Sequence, residues 1–160
     1  MATAPPFEYA PAPEARETAR VRPAYGVFVG GEFRAGAGET VATVDPSTGE
    51  PLAEVAEAGP ADVDAAVAAA REAYESVWRD LPGRERAKYL FRIARAIQER
   101  ARELAVLESL DNGKPIRESR DVDVPLAAAH FFYYAGWADK LGYAGYGPSP
   151  RRSSRGTSRC

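Results

Sequence analysis

The chain has 160 residues, of which 45% are hydrophobic, and a formal net charge of −2. That composition excludes a disordered chain, and the near-neutral charge excludes a general pull toward nucleic acid or an anionic membrane. A single cysteine excludes an internal disulfide framework.

The first 23 residues, MATAPPFEYAPAPEARETARVRP, are rich in Pro and Ala and read as an arm or linker, with Phe7 and Tyr9 as anchors. They hold no apolar core of signal-peptide length, and Glu8, Glu14 and Glu17 argue against an acid-poor transit peptide. No run of about 18 apolar residues occurs, so no membrane span is expected. The expected location is the cytoplasm.

Strand signals come next. Val27, Phe28 and Val29 face Phe33 across Gly30-Gly31, the pattern of a tight hairpin. Thr40 to Val44 alternates as a strand does, Asp45-Pro46-Ser47-Thr48-Gly49 reads as a turn, and Leu52 and Val55 lie in a further strand. This first third is predicted to be a small antiparallel element of three or four strands.

The remainder is helical. Gly59-Pro60 starts a helix with Pro at its first position, and Asp62 and Asp64 suit the positive end of the dipole. Val63, Ala66, Val67, Ala70, Tyr74 and Val77 share one face. Leu81-Pro82-Gly83 starts a second helix, with a stripe through Tyr89, Leu90, Ile93, Ala94 and Ile97. A third stripe through Leu104, Leu107 and Leu110 is broken by Asn112-Gly113 and Pro115. A last helix is predicted from about Asp121 to Leu141, with Pro125 in its first turns, where a missing N–H costs little. These stripes are wide and aromatic-rich, yet no Val/Ile run of the buried parallel-strand type is present to receive them.

The search for a catalytic constellation finds little. The one histidine, His130, sits among aromatics and reads as a packed core residue. Cys160 lies at the end of a polar stretch, where no structured electropositive setting activates a thiolate. GGEFRAGAG and GYAGYG do not spell a dinucleotide-binding turn, and Asn112-Gly113-Lys114-Pro115 has Pro where a phosphate loop needs Ser or Thr. No Cys/His metal spacing exists. Asp121 and Asp123 read as charge compensation near a helix start. Four arginines in the last ten residues would neutralise only a few phosphates, with no aromatic interleaved for stacking. No nucleic-acid partner is expected.

Three stretches carry a resemblance: VDPSTGEPLAEV at 44–55, ESLDNGKPIRES at 108–119 and FFYYAGWADKLG at 131–142. In this order and separation the chain resembles the N-terminal part of the aldehyde dehydrogenase superfamily. The helical stretch 61–100 between the first two is similar to that family's first helices, and the resemblance covers residues 25–147. It implies an α/β class, as an incomplete aldehyde dehydrogenase-like fold in which short antiparallel strands precede helices that would flank a Rossmann-like sheet. It also implies an oxidoreductase that converts aldehydes to carboxylic acids with NAD or NADP, through a cysteine nucleophile, a glutamate base and an asparagine at the oxyanion. None of those residues is assigned to a position here, so no catalytic and no cofactor-binding residue is named, and tight cofactor binding by this chain alone is not expected.

The resemblance divides the chain into an arm or linker at 1–23, the N-terminal part of an aldehyde dehydrogenase-like cofactor domain at 24–148, and a tail at 149–160 that departs from the family and is expected to be disordered. Arg/Ser/Gly-rich text such as RRSSRGTSRC is what out-of-frame reading of a GC-rich gene gives, so a truncated, catalytically inactive and marginally stable fragment is expected. The other reading is a non-catalytic module whose partner is a further copy of the chain or a full-length paralogue. The family also implies a structural monovalent cation, held by backbone oxygens near Thr43 and Val44 and by the carboxylate of Asp111. The competing reading is that Asp111 only bonds locally at the Asn112-Gly113 helix end.

Overall fold

The computed structural model describes residues 13–143. Phe7, Tyr9, the 149–160 tail and Cys160 lie outside the described residues.

Two small sheets come first in the chain. β2 (Val27–Val29) and β3 (Glu32–Arg34) pair antiparallel. Gly30 and Gly31 both take positive φ, at 64° and 89°, which is the turn geometry that matches strand twist. The second sheet has the order β1-β5-β4, from Ala24–Tyr25, Pro51–Ala56 and Thr40–Val44. β4 and β5 are antiparallel, joined by the Asp45–Gly49 turn in which Gly49 N–H donates to Asp45 O at 2.8 Å. β1 differs from the expected antiparallel element, because it runs parallel to β5. Two residues carry no readable periodicity, which is why the sequence does not announce this strand. Residues 13–23 also lie on this layer: Ala19 is buried, and Arg16 pairs with Asp45 at 3.3 Å.

α1 (Pro60–Ala73) starts as predicted. The Asp62 carboxylate accepts from Gly59 N–H at 3.0 Å and from Ala37 N–H at 2.7 Å, tying the helix start to the loop before β4. The helix widens into a π turn at Tyr74–Trp78, where Arg79 N–H reaches Tyr74 O. α2 (Gly83–Glu99) and α3 (Ala101–Asn112) follow, and Gly113 ends α3 in the left-handed region at φ 71°.

The last helix differs from its predicted start. Helical backbone begins with α4 (Ile116–Glu118), passes a π turn at Ser119–Asp123, and continues as α5 (Val124–Trp137). Pro125 therefore sits inside a helical run. The wider turn before it, in which Val124 N–H bonds Ser119 O, gives the proline ring room that a regular turn lacks.

α2 packs on α5 through small residues: Ala87 and Ala94 on one helix, Val124, Ala128 and Ala135 on the other. Phe91 and Phe132 meet at the flank of this seam, ring centroids 5.9 Å apart. Among the described residues the buried apolar core is seven alanines and three valines; no Leu, Ile, Phe, Tyr or Trp belongs to it. The large apolar side chains lie outside it. On α1 the stripe that reads as a core face is bare, with Val67 at 60% exposure and Val77, just beyond, also at 60%. On α5 Tyr133 and Tyr134 are as open. These helices are the walls the sequence predicts, with no sheet between them among the described residues. No helix among these residues is long and apolar enough to cross a membrane.

Candidate functional site

The most organised polar region is where β4 and its turn meet the end of α3. Asp45 is 2% exposed and is fully engaged: it accepts from Ser47 N–H at 2.9 Å, from the Ser47 hydroxyl at 2.6 Å, and from Arg16. These bonds, led by the Ser47 hydroxyl, hold its carboxyl below the ordinary value of 3.8 against the opposing effect of burial. The sequence marks Asp45 as a turn residue and gives no signal for its partner Arg16.

Thr43 and Asp111, predicted to share a site, are brought together: the Thr43 hydroxyl donates to the Asp111 carboxylate. The local reading of Asp111 is not what the side chain does, since its bond crosses to β4 rather than to the Asn112-Gly113 turn. Val44 follows at a register shift between Thr43 and Val44, which disturbs the β4–β5 ladder at that point. Asp111 lies in the last turn of α3, at the negative end of the helix dipole, so a cation is favoured there over a second anion. The chemistry of the two groups that meet here, a carboxylate and a hydroxyl, suits a hard cation. Among the described residues no group of three or more His, Cys, Asp or Glu is placed to hold a metal ion.

Just beyond, Lys114 pairs with Asp123 and lies 3.6 Å from Glu108. The bond to Asp123 raises the ammonium above its ordinary range. This closes the loop between α3 and the helical run that begins at Ile116.

His130 does not occupy the core predicted for it; it is exposed on α5. Two residues on from buried Ala128, it lies about half a helical turn round, away from the α2 seam. A dinucleotide cradle does not fit these residues either. All five strands precede α1, so no strand-helix-strand crossover exists among the described residues to present a phosphate-binding turn.

One apolar groove stands out. About 850 Å³ in volume, it lies between the β2–β3 hairpin and α1, walled by Phe28, Ala66, Ala70, Tyr74, Val77 and Trp78.

The fold and site define a class: a mixed α/β unit of short strands followed by helices whose apolar faces are uncovered. The sequence model of the aldehyde dehydrogenase family matches residues 33–157, nine residues past the boundary drawn at 148. The mitochondrial benzaldehyde dehydrogenase of Antirrhinum majus is 42% identical over 117 residues, which are 72% of this chain and 22% of that protein. Aldehyde dehydrogenase family 2 member B4, mitochondrial, of Arabidopsis thaliana is 43% identical over the same shares. Among solved structures, the NAD+ complex of a Bacillus cereus aldehyde dehydrogenase is 42% identical, with a TM-score of 0.71 over 74% of this chain and 24% of that one. PnpE in complex with nicotinamide adenine dinucleotide is 44% identical, with a TM-score of 0.70 over 72% and 24%. The chain belongs to the aldehyde dehydrogenase family. It spans about a quarter of the length of the curated relatives it matches.

Proposed function

We propose that this chain is the N-terminal segment of an NAD- or NADP-dependent aldehyde dehydrogenase, an oxidoreductase that converts an aldehyde to a carboxylic acid. Within it, residues 24–148 act as the N-terminal part of the cofactor domain, a scaffold whose helices flank that domain's sheet, between an arm at 1–23 and a tail at 149–160. The carrying observation is the inverted distribution of apolar residues. A core of alanines and valines with bare aromatic and aliphatic faces is a surface built to be covered. The 160 residues alone are proposed to catalyse nothing and to bind neither NAD nor NADP tightly. Their one cysteine is Cys160, and the strand-helix order supplies no dinucleotide cradle among the described residues.

The test is NADH or NADPH formation by the purified chain across a panel of aldehydes. No rate above the protein-free control is expected. Turnover that survives further purification would overturn the proposal.

The open groove beside α1 favours a second reading, a non-catalytic module that binds a full-length paralogue. Co-expression with such a paralogue separates the two: a complex of fixed stoichiometry supports the module, and separate elution supports the scaffold reading. For location we propose the cytoplasm, on the acidic residues Glu8, Glu14 and Glu17 near the N-terminus. At Thr43, Val44 and Asp111 we propose a structural monovalent cation, supported by the meeting of the Thr43 hydroxyl and the Asp111 carboxylate beside a helix C-terminus.

A further inference from the structure

A second polar site lies away from the β4–α3 junction. The segment Ala19–Tyr25 crosses the start of α3 and encloses a pocket of about 190 Å³. Its walls are Arg20, Arg22, Tyr25, Arg100, Glu103 and Leu107, with buried Ala19 at the base. At about 30 Å³ per water, that volume admits a phosphate-sized ion with a few waters. Three guanidinium groups and one carboxylate give the walls a net charge of 3 − 1 = +2, on a chain whose overall charge is −2.

The three arginines are not equivalent. Arg100 is neutralised by a two-pronged contact with Glu103, at 2.9 and 3.0 Å. Arg20 and Arg22 have no carboxylate within ion-pair distance among the described residues, although the charge of Arg20, after that of Arg100, helps hold the Glu103 carboxyl below its ordinary range. Arg22 is nevertheless held in place. Its backbone N–H donates to the Tyr25 hydroxyl at 2.9 Å, and its guanidinium carbon lies 4.8 Å from the Tyr25 ring centre and 5.2 Å from that of Phe33. Packing on aromatic rings is a sufficient reason for its position, but stacking uses only the face of the guanidinium. The N–H groups at its edge stay available, in the planar fork that matches phosphate and carboxylate oxygens.

We propose that this pocket binds a small dianion of the phosphate class, with Arg20 and Arg22 as its ligands, Tyr25 and Phe33 holding Arg22, and Glu103 restraining Arg100 from joining them. The site is independent of the dehydrogenase reading. Free phosphate and a phosphate monoester share this chemistry. A monoester adds an organic group that Leu107 and the Tyr25 ring would contact.

The test titrates inorganic phosphate, and in parallel phenyl phosphate, into the full 160-residue chain at low ionic strength, followed by phosphorus NMR. Saturable binding of one equivalent is expected. R20Q/R22Q should weaken it by about tenfold or more, as expected for two charge-assisted contacts. The control R71Q/R117Q removes the same charge from exposed positions on α1 and α4 and should leave binding within about twofold. E103Q should tighten binding, because it frees Arg100; a gain of affinity cannot come from misfolding. Tighter phenyl phosphate would assign the site to an esterified ligand, and equal affinities to the free ion. The proposal falls if wild-type binding does not saturate, if the control loses as much as R20Q/R22Q, or if E103Q weakens binding.

Discussion

The hydroxyl of Thr43 donates a hydrogen bond to the carboxylate of Asp111, two residues 68 positions apart in the chain. It ties the antiparallel sheet to the C-terminal turn of α3, so the strand layer and the helical layer are held in register by a side-chain contact. The adjoining surface is closed by Pro46 against Gly113. Substituting Thr43→Val keeps the shape and removes the donor. It is expected to lower stability by about 1 kcal/mol, the usual net value of one such bond. Thr43→Ser should recover most of the loss, because it keeps the hydroxyl and loses only the methyl group. Denaturant midpoints of the three proteins decide this; equal midpoints would mean that the contact does not hold the layers.

The same pair gives a test of the proposed cation. At constant ionic strength, replacing choline chloride with potassium or sodium chloride should raise the thermal midpoint, because an ion that binds only the folded state stabilises it by mass action. Asp111→Asn removes the charge and should abolish the difference between salts. A midpoint indifferent to the cation in the wild-type chain would remove the site from consideration.

Gly113 is expected to tolerate no side chain. Its φ of 71° is the left-handed conformation that L residues pay about 1 kcal/mol to adopt, and a Cβ there would approach Pro46 to 3.1 Å. Gly113→Ala should therefore cost more than the conformational term alone. Gly113→Ala combined with Pro46→Ala relieves the crowding and should recover part of the loss. If the double variant is no more stable than the single one, crowding against Pro46 is not the cause.

Two carboxylates that tie separate segments together contribute to the acid limit of the fold. Asp45 is held below its ordinary value chiefly by the Ser47 hydroxyl and N–H, and Asp62 by the N–H groups of Ala37 and Gly59. A carboxyl depressed in the folded state contributes stability that is complete above its ordinary value of 3.8 and is lost as pH falls through the folded value. Stability should therefore be flat from neutral pH down to about 5 and fall steeply below 4. Ser47→Ala removes the largest contribution at Asp45 and should move the onset of acid unfolding to higher pH. An unchanged acid profile in Ser47→Ala would show that Asp45 does not set this limit.

Much of the fold is legible in the sequence because its signals are local. The Gly30-Gly31 hairpin, the DPSTG turn, Pro60 at a helix start and Gly113 at a helix end each need only a few neighbouring residues to be recognised. What escapes is either too short or too distant. β1 is two residues long, and the Arg16–Asp45 pair joins positions 29 apart with no pattern between them. Pro125 misleads for another reason. Its usual meaning is a helix start, and only the π turn before it lets the helix run through. His130 misleads because aromatic neighbours normally mean a core, whereas here the aromatic residues Tyr133 and Tyr134 are themselves exposed. Thr43 and Asp111 are linked in the sequence only through the family resemblance, since nothing in their spacing brings them together.

The bare face beginning on α1 governs how the chain behaves alone. Buried alanines remove little apolar area, and at about 25 cal/mol per Å² such a core offsets little of the conformational entropy of folding. The isolated chain is therefore expected to unfold broadly, below about 45 °C, the lower edge for mesophilic domains. It is also expected to self-associate through Val67, Val77 and their neighbours, exposed apolar residues that charged side chains would normally break up. The double substitution Val67→Lys and Val77→Lys removes no buried contact, so the folding stability should stay within about 0.5 kcal/mol of wild type. Light scattering should fall sharply. The same variant should lose any complex with a full-length paralogue, because the groove wall at Val77 becomes charged. A sharp transition above 45 °C, with scattering unchanged by the two lysines, would mean that the alanine core is sufficient and the exposed face is not what limits the chain.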